Sequence, residues 1–282
     1  MVEARGRTRV TKERIASDLR NLGIAASDVV FFHSSLKSLG FVDGGSDTVI
    51  DAFLDAVGPE GLVIVPTLTF TFAHGELAKV AFDPKETPSR VGRITDTLWR
   101  RPGAFRSAHP THSIAAIGRR AEELVRGHDK TSTFGKDGPY RRYVDWGAKI
   151  VFLGVDMRCN TTLHAVEDWL DLPYLQVEEA KVKGPDGKPH VVKVRKSPVG
   201  DRDFYRKNSK VERLLEATGI IRSGKVGEAD TRWLPSQDMV QAVVAGIYER
   251  PDLLLCDRAE CEFCNRYRQP TIDHVNNNQP TI

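Results

Sequence analysis

Several things are scarce or missing in this chain, and each absence narrows what it can be. No apolar run approaches the length needed to cross a bilayer, and Met1-Val-Glu-Ala-Arg-Gly-Arg7 has no apolar stretch resembling a secretory signal. A cytoplasmic location is therefore the expectation. Cysteine is rare: Cys159, Cys256, Cys261 and Cys264, three of them crowded late in the chain, are poorly spaced for a disulfide framework, so reduced thiols are expected. Concentrated basic charge is missing too. Arg100-Arg101, Arg119-Arg120 and Arg141-Arg142 are separated by acids and the formal net charge is only +3, so neither nucleic acid nor a membrane is expected as a partner. There is no internal repeat of useful period, no Gly-x-Ser-x-Gly elbow and no helical H-x-x-x-H pair, which argues against solenoids, α/β-hydrolases and the common zinc hydrolases.

What is present alternates between two periods. Thr11 opens an amphipathic helix with Ile15, Leu19 and Leu22 on one face and Gly23 at its end. Asp28 to His33 and Gly61 to Thr67 are continuous apolar runs, the pattern of strands buried on both faces, separated by a helix from Asp47 to Val57. Thr69 to Pro88 has no clean period and reads as a long loop over the strand ends, followed by a helix to Arg100. Ile114 to Gly118 is another strand, Arg119 to His128 a short helix, and Tyr140 to Trp146 a helix leading to the strand Ala148 to Gly154. Such alternation predicts an α/β fold, a central mixed sheet with helices on both faces. Further on, Val177 to Val194 reads as a hairpin around Lys183-Gly-Pro-Asp-Gly-Lys188, and Lys210 to Thr218 and Ser236 to Arg250 as helices. A single domain over residues 1–268 is expected, with a Cys-containing appendage at 250–268 and a polar, flexible tail at 269–282.

The stretch richest in chemistry is Gly154 to Trp169. It places His164 and Glu167 at i and i+3, on one face of a helix that begins where a buried strand ends. Thr161 or Thr162 is expected to cap that helix, and ligands bind at such strand ends in open α/β sheets. By itself the pair is also compatible with a structural histidine.

Other blocks extend the pattern. His33-Ser34-Ser35-Leu36 precedes Val42-Asp-Gly-Gly45-x-Asp47-Thr48; then come Val65-Pro-Thr67-x-Thr69-Phe70, His109-Pro-Thr111-His112-Ser113-x-Ala115-Ala116-x-Gly118, Leu153-Gly-Val155 and Asn160-Thr161-Thr162-Leu163-His164-x-x-Glu167. In this order, over roughly residues 10 to 250, they resemble the aminoglycoside 3-N-acetyltransferase family, the non-GNAT antibiotic N-acetyltransferases. The resemblance implies an enzyme that moves an acetyl group from acetyl-CoA directly to a primary amine, such as the 3-amino group of an aminoglycoside, a reaction of antibiotic resistance. It places the catalytic base at His164 and its acidic partner at Glu167. An ammonium must lose a proton before it attacks a thioester, and imidazole is the side chain suited to take it. Thr161, or a nearby backbone N–H, is the candidate donor to the thioester oxygen. CoA contacts are expected from His33, Ser34, Ser35, Leu36, Thr67, Thr69 and Phe70, with more from Ser113 and the Gly135 to Tyr140 loop. Expected partners are thus the amine and CoA, with a homodimer left open.

Two departures from the family pattern matter. Arg158 stands where members usually carry an acid, so a polycationic acceptor would depend on Asp156, Asp168 and Asp171, and Gly138 replaces a common serine. Beyond the shared region, Cys256-x₄-Cys261-x₂-Cys264 has the spacing of a structural zinc site, with His274 or a residue of the body as fourth ligand; free thiols are the alternative. Readings from other classes are a CoA-binding module without catalysis or with a non-antibiotic amine, a hydrolase pairing His109 or His112 with Ser113, and a metal hydrolase using His33, His109, His112 and Asp156.

Overall fold

The computed structural model describes residues 8–69, 81–196 and 202–278. In chain order the first half runs β1 (Arg9–Val10), α1 (Lys12–Asn21), β2 (Val29–Ser34), β3 (Phe41–Val42), α2 (Gly45–Val57), β4 (Leu62–Pro66), α3 (Arg93–Arg100), β5 (Phe105–Arg106), β6 (Ile114–Gly118) and α4 (Ala121–Val125). It continues with α5 (Pro139–Asp145), β7 (Lys149–Leu153), α6 (Thr162–Trp169), β8 (Gln176–Lys183), β9 (Pro189–Lys196), α7 (Lys210–Ala217), β10 (Arg222–Val226), β11 (Ala229–Pro235), α8 (Ser236–Glu249) and α9 (Glu262–Asn277).

A mixed seven-stranded sheet in the order β10-β11-β7-β2-β4-β6-β5 forms the centre. β2 runs parallel to both β4 and β7, while the outer strands join antiparallel. The central strands are buried on both faces, which is why they read as unbroken apolar runs. Alternate residues serve opposite layers. Phe31, Ile64, Ile150 and Phe152 pack with α4 to α9, whereas Val30, Phe32, Val63, Val65 and Val151 pack with α1, α2 and α3. Burying each such side chain is worth about 1.5–3 kcal/mol, enough to fix strand register against a one-residue slip. The predicted hairpin forms as β8–β9, a separate two-stranded sheet over its own small core of Phe82, Ala180, Val182, Val192 and Val194.

The sequence reading misses β11, a strand whose polar alternation gave no apolar run. The tail is also corrected. Residues 269–277 belong to α9, where Phe263, Tyr267, Thr271 and Val275 recur every fourth residue and pack on the body, so the helix persists despite Pro270. Thr271 Oγ donates to the Tyr267 carbonyl (2.7 Å) within that turn. Residues 70–80 of the expected loop, Phe70 included, lie outside the described residues.

Because β2 and β7 are parallel, with Ser34 opposite Leu153, their C-terminal ends open on the same side of the sheet. The chain leaves β7 through Gly154, whose φ of 65° suits glycine and whose absent Cβ would stand 2.4 Å from Ser38 Cβ. Ser38 Oγ donates to the Gly154 carbonyl (3.0 Å), drawing the turn after β2 against the turn that leads to α6.

Candidate active site

α6 starts at that corner. Its cap is neither threonine: Asn160 Oδ1 accepts the Thr162 N–H (3.1 Å), and Thr162 Oγ1 is engaged with the buried Tyr143 hydroxyl (2.8 Å). Asparagine is as good a cap as threonine and sits one position earlier, which frees Thr161 from that task. Thr161 Oγ1 and the Tyr140 hydroxyl are both buried and face each other; His33 Nε2, at the end of β2, is buried without a hydrogen-bond partner among the described residues.

One turn into α6, His164 Nδ1 lies 2.6 Å from Glu167 Oε2. The other carboxylate oxygen accepts from the Tyr174 hydroxyl (2.7 Å) and from Arg202 Nε (3.0 Å). Glu167 and Arg202 are both fully buried. Burial pushes the Glu167 carboxyl up, but the charges of His164 and Arg202 and the bonds from His164 and Tyr174 outweigh it and hold its pKa at about 2. An ionised carboxylate can only accept, so Nδ1 carries a proton and, in the neutral form of the ring, the lone pair lies at Nε2. Tyr205 donates to that nitrogen (3.1 Å) from a partly exposed position. Phe134, Phe204 and His112 wall the ring, with centroids 5.2 to 6.3 Å away. Burial drops the His112 pKa to about 3, so this neighbour stays neutral.

The other expected residues fall into three groups. Ser34, Ser35 and Leu36 are half-exposed at the open end of β2, beside Leu153. Thr67 and Ser113 are buried and hydrogen-bond each other (2.8 Å), Ser113 Oγ also reaching the Thr67 carbonyl, while Thr69 Oγ1 donates to the Pro110 carbonyl (2.5 Å). The three acids are each answered by an arginine. Asp156 takes Arg158 (2.7 Å), and Asp168 (3.0 Å) and Asp171 both take Arg195. Asp168 also accepts from Ser132 (3.1 Å). Beside this group an open cleft of about 540 Å³ is lined by Asp129, Ser132, Asp171, Val177, Val191 and Arg195 among others; His164 is not part of its lining.

Two alternative constellations do not form. His109 Nδ1 accepts the His112 backbone N–H (3.1 Å) and its ring stacks on His128, while Ser113 is occupied with Thr67, so neither His109 nor His112 pairs with Ser113. Among the described residues, the one group of three or more ligand-type side chains close enough for a metal is Cys256, Cys261 and Cys264, not His33, His109, His112 and Asp156. His274 is not with those cysteines either: its Nε2 pairs with the Leu170 carbonyl (2.9 Å). Sequence reasoning overlooked Tyr174, Arg202, Tyr205 and Phe134. They come from separate loops and short turns with no shared period, so nothing in the linear pattern joins them to α6.

Fold and site together define an α/β enzyme that positions a histidine against a buried carboxylate at the open end of a mixed sheet. Residues 31–247 match the sequence profile of the aminoglycoside 3-N-acetyltransferases, and the chain belongs to that family. It is 32% identical over 272 residues to aminoglycoside N(3)-acetyltransferase VII of Streptomyces paromomycinus, covering 86% of this chain and 92% of that one. The apoenzyme of aminoglycoside acetyltransferase AAC(3)-IVa superposes with a TM-score of 0.78 at 28% identity, over 94% of this chain and 99% of that one. A structure of a histidine-to-alanine mutant of that enzyme in complex with gentamicin gives the same TM-score and identity, over 93% and 98%. AAC-IIIb in its binary complex with CoASH matches with a TM-score of 0.76 at 25% identity, over 86% and 98%.

Proposed function

We propose that this chain transfers the acetyl group of acetyl-CoA directly to the 3-amino group of an aminoglycoside, with His164 Nε2 taking the amine proton. The observation that carries this reading is the 2.6 Å contact between His164 Nδ1 and an ionised Glu167, which leaves the lone pair on the nitrogen nearer solvent. Glu167 holds the ring in that tautomer and balances the positive charge it acquires. Tyr205, now donating to Nε2, yields its place to the incoming amine. Acetyl-CoA supplies the activated acyl group.

The residues present suit such a co-substrate. Buried polar atoms without partners are costly, and His33 Nε2 is one such atom at the sheet's open end, where Thr161 Oγ1 and the Tyr140 hydroxyl have only each other. We assign the thioester oxygen to Thr161 and the pantetheine path to Ser34, Ser35 and Leu36, the half-exposed members of the expected set. Thr67, Thr69, Ser113 and Tyr140 support that wall from inside. Zinc has no part in the transfer: the three C-terminal cysteines meet the site through Phe263, whose ring lies 4.3 Å from the Arg202 guanidinium.

A second reading, an acceptor with fewer positive charges than an antibiotic, draws on one observation: Asp156, Asp168 and Asp171 are all already paired with arginines. A panel of aminoglycosides and simple amines, scored by CoA thiol release, tests both. The expected result is turnover with aminoglycosides that falls about 10²–10⁴-fold in His164→Ala. Turnover confined to simple amines would favour the second reading, and full activity in His164→Ala would remove histidine base catalysis.

A further inference from the structure

Cys256, Cys261 and Cys264 lie outside the chemistry just described, yet the fold gathers them. Their sulfurs all lie within 4.8 Å of one another, two of the residues are buried, and none is in a disulfide. Around a tetrahedral zinc with bonds of about 2.3 Å, sulfurs stand roughly 3.8 Å apart, so the three need close only slightly. Cys261 stands at the N-cap position of α9. Cys264 in turn accepts the Cys256 N–H (3.2 Å). Backbone donors on sulfur are the outer-shell bonds that orient thiolate ligands and spread their charge. Three thiolates and one zinc carry a net charge of −1. Arg268, which donates to the Cys256 carbonyl (2.5 Å), stands beside them.

We infer that Cys256, Cys261 and Cys264 form a structural zinc site, with solvent in the fourth position at the half-exposed Cys261 edge. No other described histidine, cysteine or acid joins the group. The ion ties the strand-like segment ending at Cys256 to the start of α9, and this clamp has a target. Leu255 forms a β-bridge with Arg202, and Phe263, between the two cysteines of α9, covers the Arg202 guanidinium. The zinc therefore secures, from behind, the arginine that neutralises Glu167.

The test uses the full chain purified without chelator, its zinc content measured by mass spectrometry, and cobalt titrated into the demetallated protein. The expected result is about one zinc per chain and thiolate-to-cobalt absorption on titration. Cys261→Ser and Cys264→Ser should each weaken binding by more than about 100-fold, beyond what loss of an outer-shell partner causes, while Cys159→Ser, outside the cluster, keeps the metal. Should the serine variants fail to fold, the cobalt spectrum of the wild-type chain decides alone. Absence of thiolate absorption, a disulfide between any two of the three cysteines in the protein as isolated, or metal retained equally by a folded Cys264→Ser variant overturns the assignment. None of these readouts depends on acetyl transfer.

Discussion

Glu167 and Asp168 are neighbours on α6, and each meets an arginine from a later segment, yet the two pairs live in different media. Arg202 and Glu167 are both completely shielded, and the carboxylate is further held by Tyr174 and His164. Arg195 keeps about a fifth of its side-chain surface in solvent (22%) and divides itself between Asp168 and the largely exposed Asp171 (72%). The 3.0 Å approach of Arg195 to Asp168 is a charge contact rather than an aligned hydrogen bond, since Asp168 Oδ1 has no hydrogen-bond partner. In a dry site, desolvation makes each partner dependent on the other, whereas water can stand in for Asp168 at Arg195 but not for Arg195 at Asp168, whose side chain is only 3% exposed. The contrast separates a pair that sets the charge of the carboxylate beside His164 from one that shapes the edge of a cleft.

The strongest way to break this contrast is at its chemical end. Glu167→Gln keeps the shape but removes the charge that fixes the histidine tautomer, and kcat should fall about 10²–10⁴-fold. A fall of only a few fold would mean that the sealed pair is structural. Next, Arg202→Ala leaves Glu167 buried without its countercharge and should cost about 3–5 kcal/mol in urea unfolding, against a smaller cost of about 1–3 kcal/mol for Arg195→Ala, which leaves Asp168 its bond from Ser132. Equal costs would erase the distinction.

A smaller effect, with a sign, comes from pH. The Glu167 carboxyl sits at about 2 in the fold against an ordinary 4.5, so as pH falls below 4.5 the unfolded chain takes up the proton first and stability is lost toward pH 2. Asp168 is shifted the other way, raised from 3.8 because burial outweighs the pull of Arg195. The fold holds that proton longer than the unfolded chain does, so the contribution of Asp168 declines as pH rises past 3.8. In thermal melts across the acid range, Glu167→Gln should lose ground to wild type with rising pH and Asp168→Asn should gain it; parallel curves would refute the opposite shifts. Smallest of all, the cost of Arg195→Ala should shrink further in high salt, while that of Arg202→Ala should not.

The legible parts of the molecule are those written in local pattern. Apolar runs gave β2, β4 and β7, turn chemistry gave the β8–β9 hairpin, and the i, i+3 spacing of His164 and Glu167 gave the one contact of the site that lies within a single helix. Contacts between distant segments had no such signature. Arg202 lies in a stretch with no period, and its reach to Glu167 depends on how the chain returns after the hairpin. The polar composition of residues 269–277 hid a stripe of packing residues one turn apart, because threonine and tyrosine serve as well as leucine where a helix meets a mixed surface. Arg158 was legible as an oddity, but its neutralisation by Asp156 two residues away requires the short turn that points both side chains the same way.

The roof that Phe263 places over Arg202 also sets an order of assembly. A ribosome releases α6 well before α9, so the nascent chain holds His164 and Glu167 while the arginine that must neutralise the acid is absent and then uncovered. The cover over Arg202 is thus completed only after the helix from Glu262 has been made, later than the strands of the sheet.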